Sequence, residues 1–297
     1  MIDIDTKNAH LHRHLASFNK GRLQPDLPSV EWRQNLSSAL EAQLLEGEFV
    51  ELERVEFAAA WPVVPREADP FMSWFEQLKV SGPGQSHRLF PWLANSASYE
   101  QLRWFVAQEV AGEAGFDDLV AMTQVRLPVR AKLEMARNYW DEMGRGHQDG
   151  MHGGLLDRLV LELSLTPTVD ATVWESLALA NLMVALACNR RYAWQSVGAL
   201  GVIEMTAPAR VSKVNEGLRR LGVSAAGRSY FQLHAGLDVR HSEAWNREVI
   251  RPLVAANPEL ARPIAEGAWL RLKCGSRCFE RYSQQLIDAP EQLMEAA

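Results

Sequence analysis

Apolar residues recur along this chain at the three- and four-residue intervals of an α-helix, while the strict alternation of a half-buried strand is scarce. SVEWRQNLSSALEAQLLEGEFVELERV (29–55) reads as an amphipathic helix with Ser29 placed to cap its start, and AAAWPVVPREADP (58–70), with three prolines, breaks it. The spacing predicts further helices over 69–82, 96–122 and 133–146, the last ended or loosened by Gly144 and Gly146. HGGLLDRLVLELSL opens another at His152, and residues 174–208 read as one long apolar helix stopped by Pro208. ARVSKVNEGLRRLG, the segment around HAGLDVRH, and AEGAWLRLKCGSRCFERYSQQLIDA complete the pattern. No repeat or long linker divides the chain. The expectation is an all-α bundle of about seven to ten helices, with residues 1–60 as an N-terminal helical extension of a domain spanning 61–297.

Composition narrows the function classes. With 297 residues, 47% hydrophobic and 23% charged, the chain is long enough for a sizeable core. Its net charge of −6 and the absence of a dense Lys/Arg run argue against nucleic acid or an anionic membrane as a partner. Three cysteines, Cys188, Cys274 and Cys278, are too few and too odd for a disulfide framework and fit a reducing compartment. Cys274 and Cys278, four apart, read as buried helical thiols. The N-terminus carries acidic residues and no apolar run, unlike a secretory signal. The longest apolar stretch, LALANLMVALAC, has 12 residues and is too short to span a bilayer, so a cytoplasmic protein is expected.

The candidate chemistry starts from HAGLDVRH. His234, Asp238 and His241 stand at offsets 0, 4 and 7, which a helix projects into an arc about 60° wide over roughly 10 Å of its length. That is half a metal site. Glu204 ends an otherwise apolar run, VGALGVIEM, where a carboxylate must find a metal, an arginine or solvent. Glu109 and Glu113 share a helix face in WFVAQEVAGEAGF, Glu109 being in phase with Phe105 and therefore more inward. NYWDEMGRGHQDGMHGGLLDRL is the densest stretch. There Asp141, Glu142, His147, Asp149 and His152 surround a glycine-rich turn; His147 reads as solvated, and His152 as a ligand or simply a helix start. The HLHRH cluster at 10–14 has no carboxylate nearby and reads as surface. Carboxylates and imidazoles thus lie on four helices, in the mixture with which bundles hold metals. An oxygen and nitrogen set without thiolate suits iron or manganese, and so many ligands suit two ions about 3.5–4 Å apart.

These residues resemble the heme-oxygenase-like diiron oxidases and oxygenases, the iron-containing redox enzyme family. That family's pattern of a Glu on a first core helix, a DExGxG segment followed by His, a Glu ending an apolar helix, and HxxxDxxH is matched here. Glu109 (or Glu113) supplies the first element, DEMGRGHQDGMH with Glu142 and His152 the second, Glu204 the third, and His234, Asp238 and His241 the last. The resemblance spans residues 95–250 and leaves the N-terminal segment unmatched. It implies a heme oxygenase backbone fold binding two irons in place of heme, with those seven residues as ligands and Glu142 and Glu204 as bridges. It also implies a dioxygen-dependent oxidation of a small molecule, an external electron donor and a possible homodimer, often within natural-product biosynthesis. The thirty-residue interval from Glu204 to His234 resembles the branch that oxygenates amine nitrogen, while other members cleave, decarboxylate or desaturate amino or fatty acids. Arg190, Arg191 and Arg240 could meet a substrate carboxylate but read more simply as solvated or supporting residues. A true heme oxygenase, with an axial histidine from HLHRH, leaves the carboxylates and the HxxxDxxH stripe unexplained. A metal-free relative or a helical interaction protein would not need all seven ligands.

Overall fold

A computed structural model describes residues 4–61, 63–112 and 115–288. Among them the chain forms thirteen α-helices and no strand. The N-terminal pair, α1 (Ile4–Leu23) and α2 (Trp32–Ala60), precedes α3 (Ala68–Ser81), α4 (Leu89–Asn95), α5 (Tyr99–Gly112) and α6 (Phe116–Thr123). Next come α7 (Val129–Glu142), α8 (His152–Glu162), α9 (Trp174–Cys188), α10 (Ala193–Arg220) and α11 (Ser229–Trp245). A π turn at Asn246–Ile250 leads to α12 (Arg251–Ala256) and α13 (Ala261–Ser283).

Helix α10 is the axis of the bundle, packed along α13 and α11 and crossed by α4. Its contact with α13 depends on two glycines. A Cβ on Gly198 would lie 1.9 Å from the Ile264 carbonyl oxygen, and one on Gly267 would lie 1.7 Å from that of Gln195. The apolar interior falls into two clusters. One joins Phe57, Phe71, Leu182, Leu200 and Trp245; the other joins Leu89, Phe105, Leu159, Leu218 and Tyr282. Helix α10 contributes Val197 to Met205 to the first and Val214 and Leu218 to the second, so the Glu204–Arg210 stretch lies where the two meet.

Several boundaries differ from the sequence pattern, each for a local reason. Ser29 accepts the Glu31 N–H at 3.0 Å in a tight turn, and α2 starts only at Trp32. The helix expected over 96–122 is two helices, with Gly115 at φ 70° opening the second; Glu113 lies outside the described residues. The helix expected over 174–208 is broken at Asn189, whose side chain accepts the Arg191 N–H at 3.0 Å. Pro208 does not stop α10, which runs on to Arg220 and absorbs the helix expected after it. A proline inside a helix removes one hydrogen bond, here the one that would reach the Glu204 carbonyl one turn back, and flanking tertiary packing outweighs that loss.

The HLHRH cluster is not wholly a surface feature. His10 and His14 are exposed, but His12 is buried, stacked on Trp174 at 5.7 Å and edge-on to Phe49 at 4.8 Å. Asn181 donates to the His12 carbonyl at 2.9 Å and Asn19 donates to Asn181 at 2.8 Å, which seats α1 on α9. Period-3.6 burial of one ring in three was not visible in a run of histidines. Cys274 and Cys278 are buried helical thiols, as read from the sequence.

Burial, with a smaller contribution from the Arg277 charge, lowers the His12 pKa from 6.5 to about 4, so the ring is held neutral. A depressed imidazole contributes stability above pH 6.5 that is lost as pH falls towards 4, because the unfolded chain then binds the extra proton. Replacement by leucine should therefore remove about 2 kcal/mol of the wild-type loss in stability between pH 7 and pH 5, read by urea denaturation. An unchanged slope would show that α1 does not bury this ring. Gly267→Ala should cost about 1–3 kcal/mol in the same assay, because α13 must move away from α10.

Candidate metal centre

The centre is organised by the turn between α7 and α8. Gly144 adopts φ 61°, and a Cβ there would lie 2.3 Å from the Gly150 carbonyl carbon, so only glycine permits the two strands of the turn to touch. Met143 and Met151 form an antiparallel bridge across it. This clasp brings the last residue of α7 against the first of α8: His152 Nδ1 lies 2.5 Å from Glu142 Oε2, both side chains buried. The ten-residue spacing of the DEMGRGHQDGMH segment is thereby explained as the length of one closed turn.

Helix α11 supplies the facing side. His234 Nδ1–H donates to the Tyr230 carbonyl at 2.8 Å, a tautomer assigned from its partner that leaves Nε2 as the free donor atom. The His152 and His234 rings meet edge to face at 4.6 Å. His241, two turns further, lies 3.4 Å through Nδ1 from Glu204 Oε2, and its Nε2–H donates to Asp141 at 3.0 Å. Asn138 Nδ2 donates to Glu204 Oε1 at 2.6 Å and lies 3.1 Å from His241 Nδ1.

Among the described residues, two groups bring ligand atoms within 4.8 Å of one another: Glu142, His152 and His234, and Glu142, Glu204 and His241. Glu142 belongs to both. Glu109 and Asp238 line the same cavity but stand outside both groups. Glu109, half-buried on α5, accepts the Tyr282 hydroxyl hydrogen at 3.0 Å. The remaining sequence candidates lie elsewhere. Arg190 donates to the carbonyls of Met122, Thr123 and Val125, Arg191 pairs with Glu51, and Arg240 is exposed.

The electrostatics are those of a cation site. Burial, reinforced by the Glu204 charge, pushes the Glu142 carboxyl up to about 9. Burial pulls His152 down to about 4, with the His241 charge adding to it, and pulls His234 down to about 4, with His152 adding. Both are therefore neutral imidazoles, the form that binds metal. Burial also opposes a charge on His241, but Glu204, Asp141 and Glu142 together raise it to about 9. His152 Nδ1 is buried with no hydrogen-bond partner although a carboxylate oxygen faces it. Once Glu142 gives up its proton, two electron-pair donors are pressed together in an apolar interior and fit a bound cation, and carboxylate with imidazole fits iron.

The ligands open onto a cavity of about 190 Å³ walled by Phe90, Phe105, Val106, Leu156 and Phe231. Two of its lining residues, Arg210 and Arg271, were not evident in the sequence, because nothing in their local patterns distinguishes an inward from a solvated arginine. Asn138 was legible in principle, standing four before Glu142 on the same face of α7. Asp141, beside Glu142, turns to the opposite partner and fixes His241.

The sequence profile of iron-containing redox enzymes matches residues 103–276. No curated protein sequence matches the chain. Two crystal structures of a CADD-like protein of unknown function from Nostoc punctiforme PCC 73102 share its fold. The first, at 2.00 Å resolution, superposes with a TM-score of 0.57 at 17% identity, covering 74% of this chain and 98% of that one. The second, at 1.35 Å resolution, gives 0.54 at 19%, covering 75% and 96%. With that profile running from within α5 into α13, and the clasped Glu142 and His152 facing the α11 histidines within it, the chain belongs to the family of iron-containing redox enzymes.

Proposed function

We propose that this oxidoreductase is a non-heme diiron enzyme that uses dioxygen to oxidise a small amine or amino-acid-like molecule at nitrogen, within natural-product biosynthesis. The observation that carries this reading is the membership of Glu142 in both ligand groups, since a carboxylate common to two three-residue sets is what a bridged pair of ions requires. The thirty residues from Glu204 to His234 support nitrogen as the site of oxidation. A ferrous pair, when bound, supplies electrons and open positions for the reduction of dioxygen, and an external donor restores them.

The roles of the chain's own residues follow from their places. Glu142 would bridge, His152 and His234 would hold one iron, and Glu204 with His241 the other, with Glu109 and Asp238 completing the set from the cavity wall. Asp141 holds the His241 ring in one tautomer and orientation through Nε2, as a carboxylate behind a ligating histidine does. Asn138 orients Glu204. Tyr282 fixes the Glu109 carboxylate, and the aromatic wall of Phe90, Phe105 and Phe231 limits water beside the bound substrate. No helix among the described residues is long and apolar enough to cross a membrane.

Anaerobic titration of metal-free protein with ferrous iron should reach two ions per chain, followed by rapid dioxygen uptake on mixing. Glu142→Ala should lose both ions, whereas His241→Ala should lose one. Uptake of one ion or none by the wild type would overturn the diiron reading. Asp141→Asn should weaken iron binding by about 10–100-fold with the helical circular dichroism unchanged. Gly144→Val should abolish binding of both ions, because the added side chain forces the clasp open and parts Glu142 from His152; full iron content in that variant would contradict the role given to the turn.

A further inference from the structure

The same cavity is lined by two cations that the metal chemistry does not use. Arg210, on α10, lies beside the contacting pair Phe90 and Phe279, its guanidinium carbon 6.0 Å from the Phe90 ring centre and 5.5 Å from that of Phe279. Its Nη2 donates to Thr206 Oγ1 at 3.4 Å, and its Nη1 is buried with no hydrogen-bond partner. Arg271 enters from α13, and its Nε is likewise buried without a partner. Gly275, one turn on, leaves the room this guanidinium occupies: a Cβ there would lie 2.7 Å from Arg271 Nη1. Among the described residues neither arginine has a carboxylate within the 4.0 Å of an ion pair.

Such an arrangement is unfavourable by itself. Two like charges share one apolar wall, and burial, with the Arg271 charge adding to it, lowers Arg210 to about 9. Glu109 lies near enough for both arginines to act on it, and it already takes the Tyr282 hydrogen. Two guanidinium N–H groups are left in need of an acceptor. A planar guanidinium presents its donors in the fork that a carboxylate matches. The rest of the wall, with Phe105, Leu156 and Phe231, is apolar.

We propose that Arg210 and Arg271 form a subsite for the carboxylate of a small molecule with an apolar body, which they seat with its reacting end towards Glu142 and Glu204. The subsite deepens the diiron reading by naming the substrate class and rests on it for the direction in which the molecule lies. Phe90 and Phe279, against which the Arg210 guanidinium rests, are the positioning residues of the subsite.

The test uses the full-length metal-free chain and isothermal titration with phenylacetate, phenylpropionate and phenylbutyrate, each against its neutral amide. At least one acid should bind more tightly than its amide by about tenfold or more, the scale of one charge-assisted pair of hydrogen bonds. Arg210→Gln and Arg271→Gln should each remove that preference while leaving amide binding and iron stoichiometry at the wild-type level. If Arg210→Gln does not fold, the Arg271→Gln comparison and the partial rescue expected of Arg210→Lys carry the same test. Equal binding of acid and amide across the series, no binding of any acid, or an acid preference that survives both substitutions overturns the subsite. Fewer than two irons in a wild type that still prefers the acid would remove the diiron reading and leave the subsite standing. Two irons without acid preference would do the reverse.

Discussion

The candidate centre is arranged around the contact between Glu142 and His152. A carboxylate withdrawn from water into an apolar interior costs several kcal/mol unless charge or hydrogen bonds offset it. Here the clasp of Gly144 against Gly150 fixes that carboxylate beside an imidazole nitrogen that has no other partner. The surrounding network then follows. Asn138 and Glu204 crowd the second side, Asp141 turns His241 towards them, and Tyr230 frees the inner nitrogen of His234. Each of these bonds orients a donor inward, and the set becomes favourable as a whole only around positive charge. The raised carboxyl of Glu142 and the lowered imidazoles of His152 and His234 are two expressions of that constraint.

The fold makes room for the site by dividing its core. Leu200 and Trp245 belong to one apolar cluster and Phe105 and Leu218 to the other, and α10 crosses from the first to the second. Polar side chains collect at the crossing. Glu204 lies there, with Thr206, Pro208 and Arg210 within the next two turns, and Pro208 removes the amide that would close the hydrogen bond to the Glu204 carbonyl. On the other side, the glycine contacts of α10 with α13 hold the Arg271 helix close enough for its guanidinium to reach the cavity wall that Arg210 also lines. One cavity is therefore lined by the candidate carboxylates and imidazoles, by two guanidiniums and by aromatic rings.

The helical class and the convergence of most of the candidate residues were legible because both are periodic. Offsets of four and seven put His234, Asp238 and His241 on one face whatever the helix packs against, and DEMGRGHQDGMH announces a turn through its glycines. What the sequence could not show depends on neighbours that are distant along the chain. The neutral state of His12 comes from Phe49 and Trp174, the continuation of α10 past Pro208 comes from its packing on α13 and α4, and the inward turn of Arg210 comes from Phe90 and Phe279. Glu109 shows the limit from the other side. Its inward phase was evident, but its attachment to Tyr282, rather than membership in either ligand group, arises from a helix more than 170 residues away along the chain.

The central claim is that one carboxylate serves two ions, and the position of iron tests it most directly. Anomalous diffraction at the iron edge from anaerobically loaded crystals should place two irons about 3.5–4 Å apart, one on either side of Glu142, with His152 and His234 on one and His241 on the other. A single iron, or two irons too far apart for Glu142 to touch both, would contradict it.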